Sequence, residues 1–112
     1  MSIHVQEWRL DFPHDAEAAY RAAVHLAERG EPFEFYVDYQ KRIARIVRYE
    51  ASYLAALNVT FSSNGVRIRV GKKLAKEDAE RLFMAALISK YSLYSALEKL
   101  IQMPLLVDVT VW

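Results

Sequence analysis

The sequence predicts an α+β domain: an antiparallel β-sheet of about five strands, including an Asn-Gly hairpin, packed with about three helices, the last of them long. Three observations lead there. Several short stretches alternate apolar and polar residues with a period of two, the mark of a half-buried strand. Longer stretches repeat apolar residues every three or four positions, the mark of an amphipathic helix. The composition, 54% hydrophobic and 26% charged over 112 residues, is that of an ordered globular chain of one domain's length, so residues 1–112 are read as a single domain.

Each element follows in order. Residues 5–12 place Trp8, Leu10 and Phe12 on one face and Glu7, Arg9 and Asp11 on the other, a strand that Pro13 stops. A helix follows from Asp15 to about Arg29, with Ala16, Ala19, Tyr20, Ala23 and Ala27 on its buried stripe. Asp15 and Glu17 suit the positive start of that helix, and Gly30 suits the position just past its end. Residues 33–37 alternate again and form a short strand. From about 39 to 57, Ile43, Ile46, Val47, Ala51, Leu54 and Leu57 fall on one helical stripe, so this segment is read as a helix with Asp38 as its N-cap.

Residues 58–71 carry the clearest local signal. Val59 and Phe61 alternate before Asn64-Gly65, a pair suited to a turn with positive φ, and Val66, Ile68 and Val70 alternate after it. Thr60, Arg67 and Arg69 share the outer face of this hairpin. The stretch 76–102 is helical in pattern, with Leu82, Ala86, Leu93, Leu97 and Leu100 on one stripe. Unbroken, it would span about 40 Å, so it either breaks near Ser89 to Ser92 or projects into a partner subunit. Leu105, Val107, Val109 and Val111 form a last strand.

The composition excludes several classes. Without cysteine there is no disulfide framework, thiolate nucleophile or zinc finger. Cysteine-free composition with sparse Asn and Gln leans towards a thermophile source. The first ten residues mix His4, Glu7 and Arg9 into their apolar stretch, unlike a signal peptide. No apolar run approaches the roughly 20 residues of a membrane span. The expected location is cytoplasmic.

No catalytic centre is expected. His4, His14 and His25 are scattered, without the spacing of metal ligands. Gly71-Lys72-Lys73 lacks the second glycine and the hydroxyl residue of a phosphate-binding loop. Ser62, Ser63, Ser89, Ser92 and Ser95 have no base nearby in sequence. The chain is therefore read as a non-enzyme without metal or cofactor.

What stands out is charge segregation under a net charge of +1. Residues 1–40 hold eight carboxylates against three arginines, residues 41–76 hold nine basic residues against Glu50 alone, and residues 77–112 hold five carboxylates against three basic residues. The middle segment, at +8, is interleaved with tyrosines. Clustered Lys and Arg gain free energy by releasing counterions from phosphates, and tyrosine rings can stack unpaired bases. The candidate nucleic-acid-binding residues are Tyr36, Tyr39, Arg42, Arg45, Arg48, Tyr49, Arg67, Arg69, Lys72 and Lys73. The alternatives are a solvated basic face, or pairing of the basic middle with the acidic first third.

Two archaeal families offer resemblances. Leu10-Asp11-Phe12-Pro13, followed by Ala16, Ala19-Tyr20 and Ala22, resembles the first strand and helix of the Pcc1 subunits of the KEOPS tRNA-modifying complex. Asn64-Gly65-Val66-Arg67-Ile68-Arg69-Val70 resembles that family's next element, and a long C-terminal helix follows in both. Against that pattern, residues 31–57 are an insertion, the helix after Lys76 lacks an expected Asn-Ser pair, and the last strand is extra. In size, α+β content and the pairing of aromatics with arginine, the chain is also similar to the ThermoDBP-related single-stranded-DNA-binding proteins, with no residue-level motif shared.

The first resemblance implies a structural assembly subunit. The second implies a largely sequence-independent binder of single-stranded nucleic acid, DNA before RNA, and this is the leading expectation. A homo-oligomer through the 76–102 helix is expected with either.

Overall fold

The computed structural model describes residues 4–48, 56–101 and 107–111 of the chain, the last segment through its backbone. Among these residues, six strands form one sheet and three helices cover one side of it. In chain order they are β1 (His4–Arg9), α1 (Pro13–Arg29), β2 (Phe33–Asp38), β3 (Ile43–Arg48), β4 (Leu57–Phe61), β5 (Gly65–Val70), α2 (Lys76–Ile88), α3 (Lys90–Ile101) and β6 (Val107–Val111). The sheet order is β1-β3-β2-β5-β4-β6. Strands β1 to β5 pair antiparallel, and β6 joins β4 in parallel.

Period-two alternation sorts the residues of every strand between the two faces. Phe33, Phe35 and Val37 of β2, Ala44 and Ile46 of β3, Leu57, Val59 and Phe61 of β4, and Val66, Ile68 and Val70 of β5 all point to the helices and are buried. Ala19, Ala23 and Ala27 of α1 and Ala79, Leu82, Phe83 and Ala86 of α2 close over them. The rings of Phe33 and Phe35 lie 5.7 and 5.1 Å from that of Phe83, tying β2 to α2. Phe61 stacks on Tyr94 at 4.1 Å and ties β4 to α3.

Strand β1 ends at Arg9, three residues short of the expected end, and helix α1 starts two residues earlier than expected, because Pro13 sits in its first turn, where its fixed φ suits the helix. Gly30 caps the other end in the left-handed conformation (φ 73°), as its place in the sequence predicts.

Among the described residues the helix expected over 39–57 is not formed. Residues 43–48 are strand β3, inserted between β1 and β2, and residues 49–55 lie outside the described part. Ile43, Ile46 and Val47 satisfy a helical stripe by coincidence. In an interior strand both faces accept apolar groups, and β-branched residues fit a pleated sheet. Asp38 accepts hydrogen bonds from the backbone N–H of Gln40 (3.0 Å) and Lys41 (2.9 Å), which resembles an N-cap but closes a turn instead. Arg42 completes that turn with φ at 57°.

The 76–102 stretch breaks at Ser89, the first of the two expected outcomes. Ser89 Oγ accepts the backbone N–H of Ser92 (3.1 Å), an N-cap that starts α3 where α2 stops. The break leaves orphan carbonyls at the end of α2. The Tyr39 hydroxyl donates to one of them, on Ala86, at 2.5 Å.

Gly65 has a different role from the one its sequence neighbour implies. Among the described residues positive φ occurs only at Gly30 and Arg42, so the β4–β5 turn does not need it. Instead, a Cβ on Gly65 would lie 1.9 Å from the Val37 carbonyl oxygen. Backbone proximity, not φ, requires the glycine.

Gly65→Ala forces β2 and β5 apart and costs about 3 kcal/mol, measured as a lower urea midpoint. Tyr39→Phe leaves the Ala86 carbonyl without its partner and costs about 1–2 kcal/mol. Burial raises the Tyr39 pKa above its ordinary value of 10.0, so the fold favours the neutral phenol. That contribution is complete below the unfolded pKa and is lost as pH rises towards the folded one. Above pH 10, urea midpoints of the wild type should therefore fall more steeply than those of Tyr39→Phe.

Candidate nucleic-acid interface

Because the helices take one face, the alternate residues of each strand share the other. Among the described residues no helix crosses that face. Strand register arranges it in rows. One row runs Glu7, Arg45, Tyr36, Arg67, Thr60 across β1, β3, β2, β5 and β4. The next runs Val5, Val47, Glu34, Arg69, Asn58. The side chains that make this face chemically distinctive come from strands far apart in sequence, and backbone pairing aligns them.

Within the first row, the Arg45 guanidinium lies over the Tyr36 ring, 5.2 Å from its centre. Such a contact is worth about 0.5–1 kcal/mol at an exposed site and keeps the guanidinium over the aromatic ring. On the other side of Tyr36, a cavity of 190 Å³ is lined by Tyr36, Thr60, Ser62 and Arg67. Glu34 in the second row accepts from Arg69 Nε at 3.0 Å and stands 3.8 Å from Arg67 Nε, so one carboxylate serves two guanidinium groups. Arg67 Nε is buried and has no hydrogen-bond partner among the described residues.

The ten candidate residues divide. Tyr36, Arg45, Arg67 and Arg69 come together on the open face. Tyr39 turns into the helix layer, where its hydroxyl serves Ala86. Arg42 lies in the β2–β3 turn and pairs with Asp11. Arg48 points to the helix side by register and pairs with Glu31 at 2.8 Å. Lys72 and Lys73 are exposed between β5 and α2, with Lys73 beside Gly30 at the C-terminal end of α1. Tyr49 lies outside the described residues. Period two was enough to unite Arg67 and Arg69. It did not reveal Glu34 as their partner, because that residue is distant in sequence and meets them only through β2–β5 pairing.

The charge segregation is partly spent inside the fold. Asp11, Glu31 and Glu34, from the acidic first third, pair with Arg42, Arg48, Arg67 and Arg69 from the basic middle. This is the internal compensation weighed against a ligand. It leaves Arg45 held by an aromatic ring rather than a carboxylate.

The helix layer has a contrasting surface. Met84, Ile88 and Tyr91 are 47%, 64% and 87% exposed, an apolar stripe running from α2 onto α3. Beside it, Tyr20, Met84 and Leu87 line a groove between α1 and α2. Burial chiefly, and then the neighbouring Glu80 carboxylate, raise the Tyr20 pKa. No described helix is long and apolar enough to cross a membrane. No protein-family model, curated protein or solved structure matches this chain.

Proposed function

We propose that the open sheet face binds single-stranded nucleic acid, DNA before RNA, without strong sequence preference and without catalysis. The observation that carries the reading is the row Arg45–Tyr36–Arg67 on three adjacent strands. Neighbouring strands lie about 4.8 Å apart, so the two arginines flank the tyrosine across roughly 10 Å of sheet. A flat surface of this kind suits an extended strand. Phosphates meet guanidinium groups, while bases stack on the tyrosine or on a guanidinium plane already held against it. A sheet face this shallow offers nothing to grip a duplex groove.

Internal pairing limits the number of free cations, so the salt dependence should be modest. With about three phosphates neutralised, log K against log salt should have a slope near −2 for a single strand. Arg45→Ala combined with Arg67→Ala should weaken oligothymidine binding about 10-fold or more and flatten that slope by about 1.4. Fluorescence anisotropy at several salt concentrations reads both, with matched duplex and folded tRNA as comparison ligands. An unchanged affinity in the double variant removes this row from the site.

The exposed stripe of Met84, Ile88 and Tyr91 supports a second reading, a structural subunit that assembles through its helix layer. Its simplest form is a homo-oligomer through α2 and α3. Light scattering coupled to gel filtration should then give a multiple of the 13.0 kDa chain mass. Ile88→Asp with Tyr91→Asp should return the monomer with an unchanged circular dichroism spectrum. A wild-type monomer at high concentration counts against self-assembly.

A further inference from the structure

The cavity beside Tyr36 has a hydrogen-bonding character of its own. At 190 Å³ it is smaller than the roughly 300–1,000 Å³ of pockets that hold a whole drug-sized ligand, so it takes a group rather than a molecule. Among the described residues its lining is Tyr36, Thr60, Ser62 and Arg67, with no carboxylate among these four. Ser62 is already engaged: its hydroxyl donates to the Gly65 carbonyl at 3.1 Å and accepts the Gly65 N–H at 3.2 Å. The Lys90 ammonium, donating to the carbonyls of Ser62 and Ser63, fixes this wall.

The groups left to meet a ligand are the Arg67 guanidinium, the Thr60 hydroxyl and the Tyr36 phenol, all able to donate. Arg67 Nε is buried and unpartnered among the described residues, and a buried donor in that state calls for an acceptor. Glu34, at 3.8 Å, is too far to supply it and is already bonded to Arg69.

We infer that this cavity is a subsite for one phosphate group, seated by the Arg67 guanidinium and the Thr60 hydroxyl. A guanidinium fork matches two phosphate oxygens, and the charge of a phosphate diester suits the donor-only Arg67, with the Thr60 hydroxyl free to donate to a further oxygen. A nucleobase edge carries no full negative charge for the guanidinium to neutralise. Since every nucleotide has the same phosphate, a strand anchored here would be held without reading its sequence. The subsite belongs to the open face proposed above for strand binding and rests on that reading for its biological ligand. Glu34 opposes the incoming charge, so the affinity of the subsite is set against a nearby carboxylate.

The test is a ¹H–¹⁵N NMR titration of the whole chain with thymidine, thymidine 5′-monophosphate and inorganic phosphate in turn. The subsite predicts saturable shifts at Tyr36, Thr60 and Arg67 with the monophosphate and with phosphate, and none with thymidine. Thr60→Val keeps the shape of the side chain and removes its hydroxyl. It should weaken monophosphate binding about 5- to 10-fold, and Arg67→Lys, which loses the fork, by about 10-fold or more. Glu34→Gln should strengthen it several-fold, an effect that loss of folding cannot imitate.

Equal shifts with thymidine would assign the cavity to a base and overturn the inference, as would the absence of any saturable shift. Such a failure, with oligothymidine binding intact, leaves the open-face reading standing. Conversely, phosphate binding in the cavity without oligothymidine binding overturns the strand reading and leaves a site for a free phosphorylated molecule.

Discussion

Phe83 of α2 meets Phe33 and Phe35 of β2 at the centre of the molecule, and the placement of everything else follows from that contact. All three side chains are fully buried. Aromatic groups of this size contribute the largest share of a small core, and their tilted and edge-on geometry adds to simple area burial. Once β2 commits those side chains to the helices, Glu34 and Tyr36 must face the other way. Pairing with β3 and β5 then carries the same choice across the sheet, bringing Arg45, Arg67 and Arg69 to the side opposite the helices. The polar face is thus a consequence of core packing, and no separate device is needed to assemble it.

Much of the architecture was legible because local rules and burial agreed. Pro13 and Gly30 bracket α1, and Val66, Ile68 and Val70 leave little choice about β5. Where the sequence misled, two patterns overlapped. Ile43, Ile46 and Val47 fit a helical stripe, and Asp38 offers a plausible cap; what decides for a strand is the pair of neighbours, β1 and β2, that only the tertiary fold provides. Residues 76–102 showed the reverse. Their period continues smoothly across Ser89, yet the serine hydroxyl can restart a helix, and folding α3 back buries Leu93, Leu97 and Leu100.

The candidate site was half legible, for a related reason. Composition located the positive charge in the middle third but could not say which cations would be answered by carboxylates. Asp11 reaches Arg42 and Glu31 reaches Arg48 across 31 and 17 positions of sequence, separations that only the folded topology closes. Tyr39, three residues from Tyr36, would seem to belong with it. Its spacing of three puts it across the strand from Tyr36, on the side of Val37, where its hydroxyl meets Ala86 in the helix layer. Arg45, expected within a helix, reaches the open face as a residue of strand β3.

The two surfaces bear on each other. One carboxylate, Glu34, answers two arginines of the open face, Arg67 and Arg69, and surface ion pairs of this kind add little to stability, a median of about 0–1 kcal/mol each. Their larger effect is to hold guanidinium groups in place while lowering the net positive charge a ligand meets. A single face with few unanswered cations binds a strand weakly. Because the helices occupy the opposite side of the sheet, association through Met84, Ile88 and Tyr91 would leave the open faces of both copies accessible. Linked sites gain effective concentration without any new contact, by factors that reach about 10²–10⁴ where geometry allows both to engage. The proposed strand binding and self-assembly would therefore be compatible on one two-layer fold, with the apolar stripe offsetting what charge compensation removes from the sheet.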